Sequence, residues 1–243
     1  MPAVLPPEIS VAYLDEPPFF APTADPAAPT GCDIELLRHV LADLGVQEVE
    51  FVLTTFAELI PGVIEGRWTM NVPMFVSNAR ATLVAFSRPV WAAGDGFIVR
   101  SADAARWHGY EAIAADPAAR LAVVVAQIQE QTALRTGVPP ERIVRFPDQD
   151  AAAAAVKAGD ADASASTALG SRAFLQRAGD PALVFSPDGP RAGLPVGAFS
   201  FAKSSPDLTA AFDEALGRYL GTEHHLAMMR RYGFMRDDLA PVL

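Results

Sequence analysis

The chain has 243 residues, a net charge of −10, and 51% hydrophobic against 20% charged residues; that balance supports a globular core in one large or two smaller domains and excludes whole-chain disorder. Negative charge with no Lys/Arg-rich run argues against nucleic acid or anionic lipid as a partner, since either is held by a cationic surface. One cysteine, Cys32, leaves no internal disulfide and no Cys-based metal site.

In chain order, Val11 to Leu14 is a short apolar run that stops at Asp15-Glu16-Pro17-Pro18, as a strand feeding a loop does. The stretch to Thr30, rich in Pro, Ala and Asp, is expected at the surface. Asp33 stands where it could cap a helix in which Ile34, Leu37, Leu41 and Leu44 recur at helical spacing, with Gly45 as its stop. Val49 to Leu53 reads as a second strand, which makes a βαβ unit with parallel strands. A helix is expected over Phe56 to Glu65, then a strand over Met70 to Phe75. Strands follow at Leu121 to Ala126 and Ile143 to Phe146, with a helical turn at Thr132 to Thr136 between them. An alanine-rich helix, Asp150 to Ala158, ends at Gly159 and leads to a strand candidate at Ala161 to Ser166. Val196 to Ala202 is a further strand. Ser205-Pro206 then starts a helix carrying Leu208, Phe212, Leu216 and Tyr219 on one face, and Glu223 to Tyr232 forms the last helix, ended by Gly233.

Two α/β lobes follow, with the closing elements returning to the first. The expected division is 1–100 with 195–243 as one lobe and 101–194 as the other, joined by two chain crossings with a hinged cleft. No stretch of 18 apolar residues is present, and the start MPAVLPPEIS lacks the basic and apolar regions of a signal peptide. If the protein is exported, the sequence begins after the cleaved segment. Cysteine poverty fits either compartment.

Motifs of catalysis are missing: there is no GxSxG, P-loop, GxGxxG or HExxH. His39, His108, His224 and His225 do not have metal-site spacing, and adjacent helical histidines point about 100° apart. Asp160 and Asp162 read as a solvated turn. Neither a catalytic residue nor a metal nor a cofactor is expected. What remains is a set at strand ends: Glu16 and Phe19 in the first βα loop, Phe56 after the second strand, and Phe75 with Arg80 after the third. Loops at the carboxyl ends of parallel strands converge on one crevice. Phenyl faces attract a cation, a carboxylate accepts its N–H groups, and a guanidinium clamps an anion. The combination suits a small zwitterion. The same residues also admit a plainer reading, with the phenylalanines in the core and Arg80 a surface cation.

Gly31-Cys-Asp-Ile-Glu-Leu-Leu, Leu59-Ile-Pro-Gly-Val-Ile-Glu-Gly, Ala79-Arg80 followed by Phe86-Ser-Arg-Pro, and Gly197-Ala-Phe-Ser-Phe-Ala-Lys resemble, in order, the signatures of family 3 extracytoplasmic solute-binding proteins, the receptors of amino-acid-type ABC importers. The resemblance implies a type II periplasmic-binding-protein-like fold: two α/β lobes, two hinge strands and a ligand in the interlobe cleft. It implies a membrane permease as partner, an extracytoplasmic location and no chemical turnover; a monomer is expected.

The chain departs from polar amino-acid receptors of that family. Phe75 stands where a small hydroxyl residue precedes the arginine, Thr167 where an aspartate receives the α-amino group, and Gln127 to Gln131 where a glycine-threonine turn is usual. Glu16-Pro-Pro-Phe19, Phe56, and Phe75 five before Arg80 are instead similar to the ectoine- and hydroxyectoine-binding subgroup, as are Tyr110-Glu111, Glu130 and Phe146-Pro-Asp. By that resemblance Arg80 holds the ligand carboxylate, Glu16 accepts from the ring nitrogens, Phe19, Phe56 and Phe75 box the cationic ring, and Gln127, Gln129 and Thr167 close from the second lobe. Alternatives on the same scaffold are an amino-acid receptor of altered specificity, a cyclohexadienyl-dehydratase-like enzyme with Glu16 and Glu130 as its acid–base pair, and a sensory or cytosolic derivative.

Overall fold

The computed structural model describes residues 8–188, 194–239 and 242–243. The chain divides into two compact units, one from residues up to Ala92 together with those from Pro195 onward, the other from Ala93 to Leu194.

The first unit opens with β1 (Glu8–Tyr13), α1 (Cys32–Asp43), β2 (Glu48–Leu53), α2 (Leu59–Ile64), β3 (Met70–Phe75), α3 (Asn78–Leu83), β4 (Val84–Phe86) and β5 (Trp91–Ala92). The second contains β6 (Asp95–Arg100), α4 (Tyr110–Ala115), β7 (Leu121–Val124), α5 (Ile128–Thr136), β8 (Ile143–Phe146), α6 (Gln149–Ala158), β9 (Ala163–Thr167), α7 (Ala168–Ala178) and β10 (Leu183–Pro187). The chain then returns to the first unit with β11 (Val196–Ala202), α8 (Pro206–Tyr219), α9 (Glu223–Arg231) and a short α10 (Arg236–Leu239).

In the first unit the sheet order is β2-β1-β3-β11-β4, with β5 also on β11. β1 pairs in parallel with β2 and β3, and β11 runs antiparallel to β3, β4 and β5. Every residue of β3 is buried, as a central strand covered on both faces requires. Its one polar residue, Asn71, is satisfied across the sheet: Trp68 Nε1 donates to Asn71 Oδ1 (2.6 Å) and Asn71 Nδ2 donates to Ser200 Oγ (3.0 Å), which also pins the β3/β11 register.

In the second unit the order is β10-β6-β9-β7-β8. Period-2 alternation splits its core: Phe97, Val99, Leu121 and Val123 pack with Trp107, Tyr110 and Ile113 on one face, while Ile98 and Ala122 meet Ala152, Val156 and Phe174 on the other. The alanines of α6 let that helix lie close to the sheet.

Two expectations need correction. The strand Asp95–Arg100 belongs to the second unit, not to the first, because its hydrogen bonds go to β9 and β10. Asp33 does not cap α1. The N–H groups of Cys32 and Asp33 donate to the carbonyls of Pro18 and Phe19 (both 3.0 Å), so the helix end needs no side-chain acceptor and the Asp33 carboxyl is turned into the core. This docking is tight. A Cβ on Gly31 would lie 2.2 Å from the Phe19 carbonyl oxygen, and its φ of 127° is one that glycine alone adopts readily.

Arg88, from the Phe-Ser-Arg-Pro segment, serves the scaffold. Its backbone N–H and guanidinium donate to Asp213 on α8, the Arg88 Nη2 contact being 2.9 Å. The pair is partly exposed, so Arg88→Ala is expected to lower stability by about 1 kcal/mol in chemical denaturation and to leave ligand affinity unchanged.

Candidate functional site

The carboxyl ends of β2, β1 and β3 bring the first set together. After β1 the chain turns at Glu16, whose N–H donates to the Phe20 carbonyl (2.9 Å) and whose carbonyl accepts from Phe19 (3.1 Å). After β2 comes Phe56, half-buried at the start of a 3₁₀ turn. After β3, Ser77 caps α3 by accepting from the Arg80 N–H (3.3 Å), and this places Arg80 on the first turn, over the end of its own strand.

Arg80 is only 7% exposed. Its Nη1 donates to the Phe75 carbonyl (2.7 Å), and its guanidinium lies over the Phe56 ring, 5.0 Å from the centroid. Burial pulls its pKa down to about 10, so it keeps its charge at neutral pH. A desolvated guanidinium on an aromatic face is a strong receptor for a carboxylate, because little water remains to screen it.

Phe75 stands edge-on to Trp91 (5.3 Å between centroids), and Trp91 in turn packs on Phe19 at 5.0 Å. Phe19 also meets Phe20 and Phe234. The three predicted phenylalanines therefore differ: Phe56 remains half-open, whereas Phe75 and Phe19 are buried and joined through Trp91. Trp91 and Asp33 had no site role in the sequence reading. The signal that could have found them is a tryptophan N–H and a carboxyl that are each stranded in apolar sequence and need a partner.

In the second unit, the loop after β7 leads to Gln127, the N-cap residue of α5, and Thr167 ends β9 and caps α7 by accepting from the Gly170 N–H (2.9 Å). Gln129 Nε2 donates to Asp95 Oδ1 (2.7 Å), while the Tyr110 hydroxyl donates to Asp95 Oδ2 (2.8 Å). Asp95 opposes Thr167 in the β6/β9 register, so Gln127, Gln129, Thr167, Asp95 and Tyr110 gather at one edge of this sheet. Gln129 is buried and gives its amide to Asp95. Glu130 pairs with Arg145 (2.5 Å). Asp162, read as a solvated turn, accepts from Arg100 and from the Arg120 N–H.

The same loop holds Ala126 at φ 66°, the left-handed region that L side chains resist. Ala126→Gly is expected to relieve that strain and raise stability by about 0.5–1 kcal/mol, read as a higher thermal midpoint in calorimetry.

Among the described residues no cluster of three or more His, Cys, Asp or Glu could hold a metal ion, and no helix is long and apolar enough to cross a membrane.

Two α/β sheets, one chain entering the second unit and leaving it once, and polar side chains gathered at strand ends define a type II periplasmic-binding-protein fold. The chain belongs to family 3 of the bacterial extracellular solute-binding proteins, whose sequence profile matches residues 9–234. It is 30% identical over 221 residues to the Sinorhizobium fredii protein "Probable amino-acid ABC transporter periplasmic-binding protein y4tE", covering 87% of this chain and 72% of that one. The crystal structure of EhuB in complex with hydroxyectoine superposes with a TM-score of 0.87 at 25% identity, over 97% of this chain and 91% of the other. The ancestral amino-acid-binding protein AncCDT-1, a precursor of cyclohexadienyl dehydratase, superposes at 0.79 with 23% identity, over 93% and 95%, a likeness of fold.

Proposed function

We propose that this solute-binding protein captures a small cyclic zwitterion of the ectoine or hydroxyectoine type and delivers it to the permease of an ABC importer. The observation that carries the reading is Arg80: a buried guanidinium over the Phe56 face, bonded to the Phe75 carbonyl at the same sheet edge as Glu16. In this reading Arg80 clamps the carboxylate, Glu16 accepts from the cationic ring nitrogens, and Phe56 and Phe75 cover the ring; Phe19 supports them from behind. From the second unit the reading takes Gln127, Gln129 and Thr167 as further contacts. EhuB, the protein solved with hydroxyectoine, supports the choice of a ring-shaped ligand over an open-chain amino acid.

The protein is proposed to act as an extracytoplasmic monomer that binds without turnover. Titration calorimetry with ectoine, hydroxyectoine, glycine betaine, proline and arginine tests the reading. Ectoine or hydroxyectoine is expected to bind at least about tenfold tighter than glycine betaine, proline or arginine, a difference of about 1.4 kcal/mol. Tight arginine binding with no ectoine binding would instead establish an amino-acid receptor. Incubation with prephenate or arogenate should give no product.

A further inference from the structure

We propose that Trp91 is the specificity-positioning residue of the aromatic wall, and that Asp33 from in front of it and Gly197 from behind hold its indole so that Phe75 and Phe19 keep the spacing a flat cationic ring requires. This inference rests on the zwitterion reading above.

The geometry is that of a side chain located from three sides. Trp91 Nε1 donates to both oxygens of the fully buried Asp33 carboxyl, at 3.1 and 3.3 Å. The Cys32 thiol donates to the same Oδ1 at 3.6 Å. Behind the indole lies β11. A Cβ on Gly197 would come within 2.2 Å of Cη2 of Trp91 and 2.3 Å of Cζ2, so only glycine leaves room for the ring against the strand. Gly197 is also the β11 residue opposite Phe75. The third side is the pair of phenyl contacts, Phe75 edge-on and Phe19 tilted by 46°. Trp91 thus touches two wall residues that do not otherwise share a backbone element, one from the β1–α1 loop and one from β3.

Asp33 suits this role in its neutral form. Burial lifts its pKa to about 8 even against the two donors, with the Glu16 charge adding to the lift. A neutral carboxyl has an oxygen left to accept from the indole, so asparagine can replace it. A leucine of similar size cannot accept and frees the indole to turn.

The test compares affinities for ectoine and glycine betaine in Asp33→Asn, Asp33→Leu, Trp91→Phe and Gly197→Ala, with ligand-induced tryptophan fluorescence as a second readout. Wild type and Asp33→Asn are expected to share one ectoine-to-betaine ratio within about twofold. Trp91→Phe and Asp33→Leu should lower that ratio at least tenfold, and the fluorescence change should vanish in Trp91→Phe although Trp68 and Trp107 remain. A loss of packing alone would weaken both ligands equally and leave the ratio untouched, which overturns the proposal. Should Asp33→Leu or Gly197→Ala not fold, the ratio in Trp91→Phe decides. If wild type binds ectoine and Trp91→Phe matches it, this inference fails and the zwitterion reading stands; if wild type binds neither zwitterion, the reading falls and the inference with it.

Discussion

Replacing Arg80 with alanine is expected to weaken ectoine binding by at least a hundredfold while the protein stays folded. Losing one partner of a buried, hydrogen-bonded charge pair costs about 2–5 kcal/mol, of which a hundredfold is about 3 kcal/mol. The upper part of that range applies, because the Arg80 guanidinium has already given up most of its water in the structure and its pKa has dropped to about 10 as a result. Its interaction with a carboxylate is therefore poorly screened. Arg80→Lys keeps the charge but not the planar fork, and is expected to fall between the two, at roughly a tenfold loss. Folding should survive, since the strand end carries the Ser77 cap and the β3/β11 ladder independently of the guanidinium. Calorimetric titration with a thermal melt on the same samples measures both. Ectoine affinity within threefold of wild type in Arg80→Ala would remove Arg80 from the site.

The second large effect is on stability against pH. Folded Asp33 holds its proton to about pH 8 because it is buried, with Glu16 adding to the lift, whereas the unfolded carboxyl releases it near 3.8. The stability this proton carries is complete below about pH 4 and is lost as pH rises to about 8. His225 works the other way. Burial and the neighbouring His224 bring its pKa from 6.5 to about 4, so its contribution is complete above about pH 6.5 and is lost as pH falls toward 4. Between about 4 and 6.5 the two slopes oppose each other and nearly cancel. From about 6.5 to 8 only the Asp33 slope remains, at up to about 1.4 kcal/mol per pH unit. The depressed carboxyls of Asp116, Asp180 and Asp213 act below this window, and the raised Cys32 thiol acts above it. Denaturant midpoints at pH 5, 6.5 and 8 should be level for the first two and fall for the third. Asp33→Asn should flatten the fall. An equal fall in wild type and Asp33→Asn would show that the carboxyl is already ionised at pH 6.5.

The sequence was most legible where the chemistry is local. The β3 run from Met70 to Phe75, the stop of α6 at Gly159 and the return of the chain at Val196 depend on apolar periodicity and on glycine or proline punctuation, and each lies where it was expected. The adjacency of β2, β1 and β3, whose carboxyl ends lead to Phe56, Glu16 and Arg80, was likewise expected from the βαβ pattern. The losses have one cause. Asp33 reads as a cap because capping acids stand at helix starts, yet its partner Trp91 lies 58 residues away. The hydrogen bond from Gln129 to Asp95, 34 residues earlier, likewise leaves no local trace. Nothing near Arg88 in the chain points to Asp213, 125 residues on. Elements of two or three residues such as β5 and β4 carry too few side chains for any period to emerge, and polar α5, with Gln and Glu along Ile128 to Gln131, shows little apolar stripe.

The sheet order β2-β1-β3-β11-β4 also has a meaning in time. As synthesis runs from the N-terminus, the strand that fills the middle of the first sheet arrives after every other strand in the molecule, while residues 93–194 are by then complete and contiguous. Until Val196–Ala202 emerges, the wholly buried β3 has an open edge and β4 and β5 have nothing to pair with. The nascent chain thus carries a long apolar edge of the kind that invites aggregation, and the inserted unit can fold while it waits.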